Sequence, residues 1–315
     1  MAQSSKQRAE EAVLDLKSKL RRLNKAVAGK GAIIDENAPL VATIKAVEGL
    51  KLGGEELVLT LYKKEQFYEW TEARLPALKF KEGENVSLRY TFSKMKALKA
   101  LPEIAGIERT SDISYMCKEC SSLSSVSLPA LPLCTDASSA FYLNSSIELI
   151  SIGDMPLCTS LDSFAYEDRA LTSISFGSSP KVTNIYSVVY GCSSLEEFTA
   201  SFGDNLSDIR WAFGECGRLR HINGVLNFGG TTNYTSVFKG CTSLEEVRLK
   251  GLKADLDLSA CANLSMESIR YLVENAQTVT GKRIDLSRKL LEAHEEELGD
   301  LGDTASDKGF TFNYR

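Results

Sequence analysis

The sequence predicts an α/β repeat solenoid: a stack of parallel strands with a helical stalk at its N-terminal end and an α/β cap at its C-terminal end. Three observations predict it. A large apolar position recurs every 23 to 25 residues, as Phe92, Met116, Phe141, Phe164, Val189, Phe213 and Phe238. Six or seven residues after each lies an aliphatic, in turn Leu98, Leu123, Ile147, Leu171, Leu195, Leu219 and Leu244. A short alternating segment then follows, such as Leu123-Ser124-Ser125-Val126-Ser127-Leu128 or Leu171-Thr172-Ser173-Ile174-Ser175-Phe176. One such unit cannot bury its apolar side alone, so successive units must stack.

The bulk numbers agree with a folded chain of ordinary kind. Of 315 residues, 43% are hydrophobic and 25% charged, enough to build a core without metals or disulfides. A formal charge of −5 argues against a nucleic-acid partner, which calls for a basic face. No run approaches the roughly 18 apolar residues of a membrane span. The first residues carry charge throughout, so no cleaved secretory leader is expected.

Residues 1–30 are expected to form a helix that serves as a stalk. Ala9, Val13, Leu16, Leu20, Leu23 and Val27 alternate in steps of 4 and 3, the seam of a coiled coil, which makes them the oligomerisation positions. Packing of the same helix on its own domain is the competing reading. Residues 31–76 hold a second helical pattern, 38–50, and a segment, 55–70, that would cap the first rung. Residues 77–265 make the solenoid. In residues 266–315, Ser265 caps a helix over 266–275, Ile284 and Leu286 mark a strand, 290–298 another helix, and 308–313 a closing strand.

Within a strand, alternation sends Val126 and Leu128 inward and Ser125 and Ser127 outward. The outward positions across the stack are the candidate binding residues: Ser125, Ser127, Ser151, Ser173, Ser175, Thr199, His221, Asn223, Glu246 and Arg248. Small hydroxyls there suit hydrogen bonds to glycan or protein backbone; they also suit simple packing between strands. Tyr115, Tyr142, Tyr166, Tyr186, Tyr190, Trp211 and Tyr234 crowd the segments near the Phe position, as interface anchors or as filler.

No catalytic, metal or cofactor site is expected. Cys117 and Cys120 lack the second pair that a zinc site needs, and Cys120 falls on a repeat position shared with Cys192, Cys216 and Cys241. His294 lacks a second His four residues on. Glu196-Glu197 and Glu245-Glu246 recur with the repeat and read as its surface.

The Phe, then Cys, then Ser-Leu and short strand resemble the leucine-rich repeats of the BspA-like class. The tail, with Asp257-Leu258-Ser259, Cys261, Asn263-Leu264 and then Lys308-Gly309-Phe310-Thr311, is similar to the ends of repeat proteins encoded by bacteriophages and prophages. That resemblance implies a non-enzymatic virion component of the tail or fibre, assembled in the bacterial cytoplasm. Its partners would be a host-surface protein or glycan, and other virion proteins through the N-terminal helix, as a homo-oligomer without membrane insertion. A bacterial cell-surface adhesion protein and a cytosolic interaction scaffold remain the alternatives.

Overall fold

The alternating segments form strands, and the strands pair in parallel, one per repeat. The computed structural model describes residues 78–79 and 85–315, which belong to one compact unit. The expected stalk with Ala9, Val13, Leu16, Leu20, Leu23 and Val27, the pattern at 38–50 and the segment 55–70 lie outside the described residues. The stack opens with β1 (Leu78–Lys79), β2 (Val86–Ser87), β3 (Ile104–Ala105) and β4 (Thr110–Asp112), where β1 pairs β3 and β2 pairs β4. Six strands follow as one parallel sheet in chain order: β5 (Ser125–Leu128), β6 (Leu149–Ile152), β7 (Ser173–Ser179), β8 (Glu197–Phe202), β9 (His221–Asn227) and β10 (Glu246–Lys250). Val126, Ile150, Ile174, Phe198, Ile222 and Val247 point into the core, and all seven repeat aliphatics from Leu98 to Leu244 are fully buried.

The arm that returns from each strand to the next has a regular backbone. Two residues four apart adopt the left-handed region in every rung: Tyr90 and Lys94, Tyr115 and Glu119, Ser139 and Leu143, Ser163 and Glu167, Ser187 and Gly191, Trp211 and Glu215, Ser236 and Gly240. For residues other than glycine this conformation costs about 1–2 kcal/mol each. Hydrogen bonds to the next rung hold it in place, as Ser163 N–H to Tyr186 C=O (2.8 Å) and Glu167 N–H to Tyr190 C=O (2.7 Å). Just before, a side chain closes a turn on the amide two residues on: Asp112 on Ser114, Asp136 on Ser138, Asn184 on Tyr186, Asp208 on Arg210.

This backbone corrects the register of the apolar position. Counted from the left-handed residues, the aligned site holds Phe92, Cys117, Phe141, Ala165, Val189, Phe213 and Phe238, with steps of 24 or 25. Met116 and Phe164 sit one residue earlier. The two adjacent sites are both buried and share one volume: Thr91-Phe92, Met116-Cys117, Ala140-Phe141, Phe164-Ala165, Ala212-Phe213 and Val237-Phe238 each join a small side chain to a large one. Phe164 thus meets Phe141 of the preceding rung edge-on, with ring centroids 5.2 Å apart.

The Cys position forms a second internal ladder. The thiols of Cys120, Cys192, Cys216 and Cys241 donate to the carbonyls of Phe92, Ala165, Val189 and Phe213 in the preceding rung, at 2.9, 2.9, 3.1 and 3.0 Å. Asn144 and Asp168 replace the thiol in two rungs and use their side chains differently. Asn144 Oδ1 accepts from Cys120 N–H (2.7 Å), and Asp168 Oδ1 accepts from Asn144 N–H (2.5 Å). All eight cysteines are buried and free.

Residues 224–230 lengthen β9 to Asn227 and finish in a 3-10 turn over Phe228–Gly230. One further expectation changes at the C-terminal end. The helix expected over 290–298 is two, α2 (Arg288–Ala293) and α3 (Glu295–Asp307), separated at His294. Ahead of them, α1 (Met266–Glu274) takes the place that the next strand would have beside β10. Ser265 caps α1 through Ser268 N–H (3.2 Å), and Ser268 Oγ accepts from the edge amide Val247 N–H (3.1 Å). On the arm side, β11 (Leu256–Leu258), β12 (Lys282–Leu286) and β13 (Phe310–Tyr314) form a separate parallel sheet.

Candidate functional site

In-register pairing brings the outward strand residues into two straight rows. The first runs Ser125, Leu149, Ser173, Glu197, His221 and Glu246; the second runs Ser127, Ser151, Ser175, Thr199 and Asn223. Neighbours within the second row bond to each other, Ser175 Oγ to Ser151 Oγ and Asn223 Nδ2 to Thr199 Oγ1, both at 3.2 Å. The backbone amides are consumed by the sheet, so side-chain hydroxyls and amides are what this face offers a partner.

Two members were missed in the sequence, Leu149 and Glu197. Each sits two residues before a residue that was picked, Ser151 and Thr199, so the same alternation would have found them. Leu149 matters most, since it stands 52% exposed in a field of hydroxyls. Arg248 does not extend the second row. A register shift between Val247 and Arg248 sets it opposite Val225, and its guanidinium turns to Glu267 (3.3 Å) and to the Tyr271 ring (6.0 Å). Gly224 permits that bulge: its φ is 109°, and a Cβ there would meet Ala200 O at 2.1 Å.

The rows end in charge. His221 Nδ1 lies 3.7 Å from Glu246 and Nε2 4.0 Å from Glu245, whose carboxylate also takes Arg220 at 2.8 Å. Beside this cluster, Asn223, Gly224, Glu246, Arg248, Ser265 and Glu267 line an open recess of ≈ 320 Å³. Among the described residues no group of three or more His, Cys, Asp or Glu is arranged to hold a metal. No described helix is long and apolar enough to cross a membrane.

The aromatic residues gather on the arms, and Tyr90, missed in the sequence, is one of them. Tyr90 stacks on Tyr115 (4.6 Å), Tyr142 on Tyr166 (4.9 Å), Tyr166 on Tyr190 (5.1 Å), and Tyr190 meets Trp211 edge-on (5.7 Å). All six are half-buried. They occupy either the first left-handed position of a rung or the position three later, and the other position is then small or cationic. The pairs are Tyr90/Ser93, Tyr115/Lys118, Ser139/Tyr142, Ser163/Tyr166, Ser187/Tyr190 and Trp211/Gly214. Burial, then the carboxylates of Glu167 and Glu119, push the Tyr142 phenol up. Tyr186 lies under Arg210 instead (5.1 Å), whose partner Asp208 is held below the usual carboxylate range by the Arg210 hydrogen bonds. Tyr234 is buried and structural, donating to Phe228 C=O and Thr231 C=O.

A parallel stack of near-identical rungs with a polar strand face defines a repeat protein of the interaction kind. The chain belongs to the BspA type leucine rich repeat family, whose model matches in six copies over residues 88–190, 110–245 and 159–281. Its repeats carry binding and structural roles between proteins. Among curated proteins, none matches the chain.

Proposed function

We propose that the chain is a binding and structural component of a bacteriophage virion, in the tail or fibre, that presents its strand face to a protein on the host surface. The observation that carries the binding reading is the pair of in-register rows, six and five outward residues long, the first ending in His221 and Glu246 and the second in Asn223. A flat face of short hydroxyls offers many weak hydrogen bonds and loses little side-chain entropy on binding, while Leu149, on the second of the six strands, supplies an apolar contact. The virion reading is supported by the tail around Cys261 and Lys308. Anchoring to other virion proteins, and homo-oligomer formation, would come from residues 5–28.

Multivalent display is what makes weak faces effective, because linked sites add avidity without new contacts. The test is the solution mass of the full chain beside a chain lacking residues 1–30. An oligomer that becomes a monomer on truncation is expected. Monomers in both cases would remove the anchoring reading and put the cytosolic scaffold ahead.

A further inference from the structure

We propose that the aromatic ribbon on the arms is a second binding surface, for a neutral glycan in extended form. This rests on the arms alone and is independent of what the strand face binds.

The ribbon is continuous although its residues do not share one sequence position. Tyr90, Tyr115, Tyr142, Tyr166, Tyr190 and Trp211 supply one ring per rung, from either of two positions. Where the ribbon changes position, the gap is bridged. Lys118 Nζ lies 5.9 Å from the Tyr115 ring centre and 4.9 Å from that of Tyr142. At the second change Gly214 makes room, since a Cβ there would come within 3.0 Å of the Tyr190 ring and 3.2 Å of Trp211.

The fold does not require these rings. Ser93, Lys118, Gly214 and Lys239 occupy the site of Tyr142, Tyr166 and Tyr190 in other rungs, and Ser139, Ser163, Ser187 and Ser236 occupy the site of Tyr90 and Trp211. A ring at every one of six successive rungs, left half-exposed, is therefore a surface property and not a core one.

Its chemistry selects the ligand. Stacking at interplanar angles of 14°, 9° and 19° uses up the ring faces, so the ribbon shows solvent its edges and phenol groups. Ring edges carry the positive end of the quadrupole and attract oxygen lone pairs, and a phenol both donates and accepts. Five cations along the ribbon are each matched by a carboxylate: Arg89 by Asp112, Lys118 by Glu119, Arg169 by Glu167, Arg210 by Asp208 and Lys239 by Glu215. That disfavours a polyanion. The taken faces disfavour a proline-rich peptide, which packs its rings on open aromatic faces. An uncharged, hydroxyl-rich chain that repeats at about the rung spacing of ~4.8 Å fits what remains.

The experiment titrates the full chain with cellohexaose, chitohexaose and maltohexaose, read by calorimetry and by tryptophan fluorescence, because Trp211 ends the ribbon. Binding of cellohexaose or chitohexaose is expected. Tyr142→Ser/Tyr166→Ser/Tyr190→Ser is expected to weaken it by about tenfold or more with an unchanged circular dichroism spectrum. Should the triple serine variant fold poorly, Tyr→Lys at the same sites, following Lys118 and Lys239, carries the comparison. Tyr166→Phe keeps the stack and is expected to show a smaller loss. No binding of either extended hexasaccharide overturns the proposal. So does equal affinity in the triple variant, preference for a heparin hexasaccharide or a proline-rich peptide, or loss of binding on Ser151→Arg, which would move the glycan to the strand face.

Discussion

Asp168 sits where four other rungs have a cysteine, fully enclosed, with one carboxylate oxygen bonded to Asn144 N–H and the other, Oδ2, without a partner. Burial pushes its carboxyl well above the usual range, outweighing the Asn144 hydrogen bond. The native chain therefore keeps a proton that the unfolded chain releases above about pH 4. Stability from this group is full below that pH and falls as pH rises toward the native value. Asp168→Asn removes the titration. Its new amide is placed to donate to Ala165 C=O, as the Asn144 amide donates to Phe141 C=O. The variant is expected to gain about 1–3 kcal/mol at neutral pH, the penalty of one unmet buried polar atom. Urea midpoints followed from acid to neutral pH check this, with a shallower fall in the variant; equal slopes would show that Asp168 is not the group responsible.

Two elements make their own predictions. In the arm, Phe164→Ala is expected to cost about 3–5 kcal/mol and Ala165→Phe about 1–3 kcal/mol by overpacking. The double exchange restores the small-then-large order of Ala140-Phe141 next door, so its loss is expected to be well below the sum; a double-mutant cycle by denaturant unfolding measures the coupling. In the cap, Ser268→Ala is expected to cost about 1–3 kcal/mol, because the edge amide of Val247 loses its acceptor while a helix still covers it. The strands were legible because alternation has a period of two that survives any neighbour. Core membership of the Phe positions was legible too, but not their register: Met116 and Phe164 fill the shared volume from the adjacent site, a fact of packing between rungs. The left-handed arm positions were hidden for a related reason. Tyr, Glu, Trp and Ser hold them where glycine would have signalled them, since hydrogen bonds from the next rung impose the conformation. Of the binding face, the hydroxyls could be read directly, whereas the displacement of Arg248 depends on a bulge at Gly224 that no spacing announces.

Stacking makes the described solenoid one-dimensional, each rung touching its two neighbours through strand, arm and ladder. Ends are then the vulnerable places, and the C-terminal one is closed by a helix over the sheet and by β11, β12 and β13 beside the arms. The strand face and the aromatic ribbon lie on different sides of the same rungs, so both surfaces lengthen together as rungs are added. The hydrogen bonds between rungs, from Tyr90 N–H to Ser114 C=O through Glu215 N–H to Lys239 C=O, join successive turns of the chain along the stack. Mechanically that is a zipper and not a cable. Tension applied between the two ends would load one junction at a time, and each released rung of about 24 residues would pay out roughly 80 Å of chain. A tethered solenoid of this design yields in steps and absorbs a pull by lengthening, which is the behaviour of a shock absorber.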